Sequence, residues 1–155
     1  MRVGILTLSD SRDLSRDKSG DALEGLTRAV GGILVQRGIL PDDEAAIRET
    51  LILWADELRL DLILTTGGTG PGPRDLTPEA TRAVCVKEMP GLSELIRREG
   101  LNHVRSAVLT RGVAALRGTT LVVNLPGSTR GATQSFDAVA DLIPHVLRMV
   151  HGGGH

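Results

Sequence analysis

Residues 65–79 read TTGGTGPGPRDLTPE, a stretch whose residue types suit the binding of an anion. Glycines at 67, 68, 70 and 72 permit positive φ angles and close backbone approach, so successive N–H groups can converge on a phosphate that a bulkier loop would exclude. Thr77 with Pro78 behind it marks a helix N-terminus, where unpaired N–H groups and the helix dipole favour negative charge. Neither common phosphate fingerprint is present. Gly67 and Gly72 stand where the outer glycines of a P-loop would, but Pro73-Arg74 follows in place of Lys-Ser/Thr, and no window fits G-x-G-x-x-G. The alternative is a glycine-rich turn that only connects a strand to a helix. Four glycines interleaved with prolines and followed by Arg74-Asp75 favour the anion cradle.

The chain that must position this loop has 155 residues, 41% of them apolar and 24% charged, which suits one domain with one core. The expected domain covers residues 1–150, with 151–155 as a fraying tail. A net charge of −1 offers no broad attraction to nucleic acid or anionic lipid, and Trp54 and Phe136 are the only aromatics, too few for a base-stacking platform. No apolar run approaches the roughly 20 residues needed to cross a bilayer. The apolar start, residues 1–8, is cut short by polar Ser9-Asp10-Ser11 and reads as a strand. A single cysteine, Cys85, excludes an internal disulfide and fits a reducing, cytoplasmic setting. His103, His145, His151 and His155 lack the spacing of a zinc site, and no G-x-S-x-G elbow exists.

Three short apolar runs, residues 3–8, 62–64 and 121–125, have the continuous hydrophobicity of parallel strands buried on both faces, and residues 33–40 form another strand. Helices are expected over 20–30 with Ser19 as cap, over 42–58 behind Asp42 or Asp43, over 78–88, over 92–98 after a break at Pro90-Gly91, and from 131 through 143. Residues 113–116 and 119–123 suggest an antiparallel hairpin around Arg117-Gly118. The expected fold class is therefore α/β, three layers, with a mostly parallel sheet between helices. Ligands of such sheets sit beyond the carboxyl ends of the strands, so loops 9–13, 41–43, 67–75 and 124–130 should share one pocket.

Taken in order, Ser9-Asp10-Ser11, Pro41-Asp42-Asp43, TTGGTGPGPRDLTPEAT (65–81), Glu88-Met89-Pro90-Gly91 and Asn124-Leu125-Pro126-Gly127-Ser128 resemble the MogA/MoaB family of molybdenum cofactor biosynthesis, over residues 3–143. The resemblance implies a MogA-like, molybdopterin-binding fold, a homotrimer, and adenylyl transfer from ATP to the terminal phosphate of molybdopterin with Mg²⁺. It also implies hand-over of the product to a separate molybdenum-insertion protein. A second reading is a MoaB-type carrier or scaffold that binds pterin or nucleotide with little turnover; the glycine-rich loop is common to both.

Asp42 and Asp75 match the acidic positions that the family uses for catalysis, and carboxylates are the hard donors that Mg²⁺ takes, one or two at a time. Asp42 could equally be a helix cap, a role open to Asp43 as well. Gly67, Gly68, Thr69 and Gly70 would hold nucleotide phosphates by their backbone. Arg74 would neutralise them, or else pair with Asp75 on the surface. Met89, Pro90 and Gly91 would wall the adenine, or simply break a helix. Ser9, Asp10 and Ser11 would bind pterin or its phosphate, or form a polar turn. Pro126, Gly127 and Ser128 would do the same at a helix start, where Ser128 can both cap and donate.

Overall fold

The apolar runs become strands stacked side by side in a six-stranded sheet, and the computed structural model describes residues 1–11 and 13–153 of the chain. Arg12, within the first polar loop, and Gly154 and His155, within the expected tail, lie outside the described residues. In chain order the elements are β1 (Arg2–Leu8), α1 (Lys18–Ala29), β2 (Ile33–Leu40), α2 (Glu44–Ile52), β3 (Leu62–Thr66), α3 (Thr77–Val84), β4 (Lys87–Glu88), α4 (Pro90–Leu101), β5 (Ala114–Arg117), β6 (Thr120–Leu125), α5 (Thr129–Asp137) and α6 (Ile143–Val150). The sheet runs β2-β1-β3-β6-β5-β4. Its first four strands are parallel, and β5 and β4 complete it by antiparallel pairing.

Register explains the three layers. Ile5, Leu64 and Val123 lie across from one another on β1, β3 and β6, and all three face a core shared with α1, α4, α5 and α6. Their neighbours Leu6, Ile63 and Val122 face the opposite core, against Ile47 and Leu51 of α2, Trp54, and Ala80 and Val84 of α3. Burial on both faces is what made these strands uniformly apolar. Gly4 is required here: a Cβ would fall 2.7 Å from the Trp54 ring and 2.6 Å from Leu60.

Several boundaries differ from the sequence-based expectation. Asp17, not Ser19, caps α1, its buried carboxylate accepting from the Gly20 N–H at 3.0 Å. The helix expected to reach Glu88 stops at Val84. Cys85 is extended, and the chain pairs with β5 through Val86 N–H to Leu116 O and Met89 N–H to Ala114 O. A free sheet edge thus overrides weak helical propensity. Pro90 starts α4 instead of interrupting it, as proline is tolerated in a first turn. The last helix is two, because Pro144 cannot donate inside a helix and instead opens α6. The expected hairpin is present, turning at Gly118 with φ of 56°.

Candidate active site

Three of the parallel strands end against one another at the glycine loop. Gly67 follows β3 with φ of 109°, and a Cβ there would fall 2.4 Å from Leu8 O at the end of β1. A Cβ on Gly127, just beyond β6, would lie 3.1 Å from Gly67 Cα. Thr66 Oγ1 donates to Pro126 O at 2.8 Å and Gly67 N–H to Leu125 O at 3.0 Å, fastening the β3 and β6 loops together. Behind them Asn124 is buried, donating to Thr65 Oγ1 and Thr81 Oγ1 and accepting from Val113 N–H, which ties β3, α3 and β5 to β6.

The loop is held by its carbonyl side. Gly67 O accepts from Thr77 Oγ1 at 2.9 Å, Gly68 O from Thr77 N–H at 3.2 Å, and Thr69 O from Arg111 N–H at 2.8 Å. In a trans peptide the N–H points opposite to its carbonyl. The N–H groups of Gly68, Thr69 and Gly70 therefore point away from those carbonyl partners, and they donate to no acceptor among the described residues. Gly67 N–H, expected to join them, is bound into the sheet instead. The outer half of the loop closes on itself, with Asp75 Oδ2 accepting from Gly72 N–H at 2.9 Å. Thr77 does not cap α3 through its side chain; its hydroxyl serves the loop, and Leu76 occupies the cap position.

Beside these amides stand the acidic residues. A Cβ on Gly68 would fall 3.0 Å from Asp42 Oδ1, and Cβ atoms on Gly70 and Gly72 would fall 2.9 and 2.7 Å from Asp75 Oδ2, so both carboxylates border one loop. Asp43 caps α2 through Ala46 N–H at 2.9 Å, which leaves Asp42 free of that role. Asp42 Oδ1 is buried and has no hydrogen-bond partner among the described residues. Burial pushes the Asp42 carboxyl above its ordinary value; the charges of Asp10 and Asp75 add to this and Arg74 opposes it. Arg74 pairs with Asp10 at 2.6 Å, not with Asp75, and is well exposed. Asp10 also accepts from Asp42 N–H at 3.3 Å, and Ser9 Oγ from Ser11 N–H at 3.4 Å, so loop 9–11 forms a polar turn that bears on Asp42.

Beside the glycine loop a groove of about 240 Å³ runs between Thr69 and Gly70, the end of α4 at Gly100, a 3₁₀ turn at Arg105–Leu109, Ser128 before α5, and Gln134 on it. Ser128 caps α5 by accepting from Gly131 N–H at 3.1 Å. Met89 is not brought to this groove. It lines a separate one with Leu116, Val146 and Met149 at the sheet edge, while Pro90 and Gly91 form the first turn of α4. Cys85 is buried, its thiol pushed up to about 11 by burial, which removes it as a nucleophile.

Arg111 is the site residue that sequence reading missed. It touches Thr69, Gly70, Asp75 and Glu79 from some 30–40 positions away, with no local motif to announce it.

Among the described residues no three acidic, histidine or cysteine side chains form a metal cage. One or two carboxylates beside phosphate-binding amides are the setting in which Mg²⁺ is held jointly by protein, water and substrate, and the orphaned Asp42 oxygen fits such an ion. Known proteins resemble the chain over nearly its whole length. The chain is 40% identical over 156 residues to the molybdopterin adenylyltransferase of Escherichia coli, covering 98% of this chain and 79% of that one. It is 39% identical over 150 residues to the Drosophila melanogaster molybdenum cofactor synthesis protein cinnamon, of which it spans only a quarter. The crystal structure of the molybdopterin biosynthesis enzyme MoaB from Thermus thermophilus superposes with a TM-score of 0.90 at 46% identity, over 97% of this chain and 96% of that one. A family described as a probable molybdopterin binding domain matches residues 4–145, nearly the whole fold that carries the loop and its carboxylates, and it is to this family that the chain belongs.

Proposed function

We propose that the protein is a molybdopterin adenylyltransferase, joining the terminal phosphate of molybdopterin to the adenylyl group of ATP. The observation that carries this reading is a row of three N–H groups without an acceptor among the described residues, at Gly68, Thr69 and Gly70, flanked by two carboxylates. In the reaction a terminal phosphate oxygen attacks the α-phosphorus, the bond to the bridging oxygen breaks, and pyrophosphate leaves with that electron pair. Charge builds on phosphate oxygens, so fixed donors aimed at them supply much of the acceleration. The loop amides hold the nucleotide phosphates. Arg74, exchanging its contact with Asp10 for one with the leaving pyrophosphate, adds positive charge there. Ser9, Asp10, Ser11 and the 126–128 turn bound the pterin side. Asp42 and Asp75 would hold Mg²⁺, which when bound neutralises phosphate charge. The product passes to a separate molybdenum-insertion protein, and the working assembly is a homotrimer.

The test is formation of adenylyl-molybdopterin from ATP and molybdopterin with Mg²⁺. Asp75→Asn should lower kcat at least a hundredfold while the circular dichroism spectrum is kept. An intact wild type that binds pterin without turnover would instead support the carrier role.

A further inference from the structure

We infer that Arg111 is the positioning residue that sets the glycine loop for phosphate, a role that rests on the adenylyl-transfer reading. Its guanidinium reaches two loop carbonyls at once, Nε donating to Gly70 O at 2.8 Å and Nη2 to Asp75 O at 2.7 Å. Its main-chain N–H takes a third carbonyl, that of Thr69. Glu79, in the first turn of α3, binds the other edge of the guanidinium through both carboxylate oxygens. That contact holds the Glu79 carboxyl below the ordinary range, with the Arg111 hydrogen bond the main cause.

The consequence is geometric. The Arg111 main-chain N–H on Thr69 O turns the Gly70 N–H of the same peptide the opposite way, and the side chain, through Nε on Gly70 O, fixes the next peptide and so the outer end of that run. With the Asp75 carbonyl fixed, the residue whose carboxylate closes the turn at Gly72 is fixed too. A planar fork with donors at set angles can satisfy both carbonyls, whereas a lysine ammonium can reach one well. Arg111 thus acts on substrate through the loop and touches no reacting atom. Because the Thr69 contact belongs to the main chain, it survives any side-chain substitution, and variants at 111 should fold.

The experiment compares wild type, Arg111→Met, Arg111→Lys and Glu79→Gln. Pyrophosphate binding is titrated calorimetrically, KM is measured separately for ATP and molybdopterin, and thermal melting is followed. Arg111→Met should weaken pyrophosphate and raise KM for ATP at least tenfold, leave KM for molybdopterin within about twofold, and keep a cooperative melt. Arg111→Lys should recover part of the loss, and Glu79→Gln should show a smaller one. Unchanged pyrophosphate affinity in Arg111→Met overturns the inference, as does an equal loss for both substrates that tracks a lowered melting temperature. If wild type binds pyrophosphate yet transfers no adenylyl group, the adenylyltransferase reading fails by itself, and the calorimetric comparison alone decides the role of Arg111.

Discussion

The Asp42 carboxylate sits partly out of water, with one oxygen unpartnered and with Asp10 and Asp75 as neighbouring charges. Such a group disfavours ionisation in the ligand-free fold, and its raised pKa reflects that cost. The sign follows from linkage. The unfolded chain loses this proton near the ordinary value of 3.8 and the folded chain only at higher pH, so ionisation subtracts stability once pH exceeds 3.8. Asp42→Asn should therefore stabilise the ligand-free protein at pH 7, on the order of 0.5 kcal/mol after screening by solvent. Its helix cap is untouched, because Asp43 provides that. The gain should vanish below the ordinary aspartate range and level off above the raised value, while adenylyl transfer is lost. Urea unfolding from pH 3 to 8 checks this, and a variant less stable than wild type at pH 7 would count against it.

At the scale of elements, α1 is fixed to β1 and β2 through one buried aspartate. Asp17 accepts from Thr7 Oγ1, Ser19 Oγ and Gly20 N–H, and pairs with Arg37 at 3.0 Å. Burial alone would raise its carboxyl, but the bonds from Gly20, Thr7, Arg37 and Ser19 outweigh it and bring it below the ordinary value. Its contribution is full above the ordinary aspartate range and is lost as pH falls through the lowered folded value. Asp17→Asn should cost about 1–2 kcal/mol at pH 7, since it weakens the hydrogen bonds at the cap while Arg37 keeps Asp21 and Glu24 as partners, and less at pH 2, as urea unfolding would show. Asp17 is also where local patterning fell short. A serine before a helical run is an ordinary cap, and only the tertiary partners Thr7 and Arg37 single out the residue two places earlier. The parallel strands were legible, because burial on both faces writes a continuous apolar run. The glycine loop was legible because positive φ at Gly67 and Gly68 demands that residue type, with Gly70 and Gly72 close against the Asp75 carboxylate. The two-residue β4 was not, since its pairing depends on a partner some 28 positions away, and Arg111 stayed hidden for the same reason.

For the molecule as a whole, a group of exposed apolar side chains lies near the site. Leu101 at the end of α4 and Val104, Val108 and Leu109 around the following 3₁₀ turn are each about half exposed, and they adjoin the groove beside the glycine loop. Contiguous apolar patches of this kind mark contact surfaces. With a net charge of −1, repulsion between copies is small. Homotrimer formation would cover such a patch next to the site, so assembly and substrate binding would be coupled. Sedimentation velocity at micromolar concentration should give about three times the chain mass of 16.4 kDa. Val108→Glu, which places a charge at the middle of the patch without touching the core, should shift the protein toward smaller species. A wild type that sediments as a monomer would refute the assembly. A trimer indifferent to Val108→Glu would place its interface elsewhere, with the sheet edge at β4, where Val86 is 85% exposed, as the next surface to substitute.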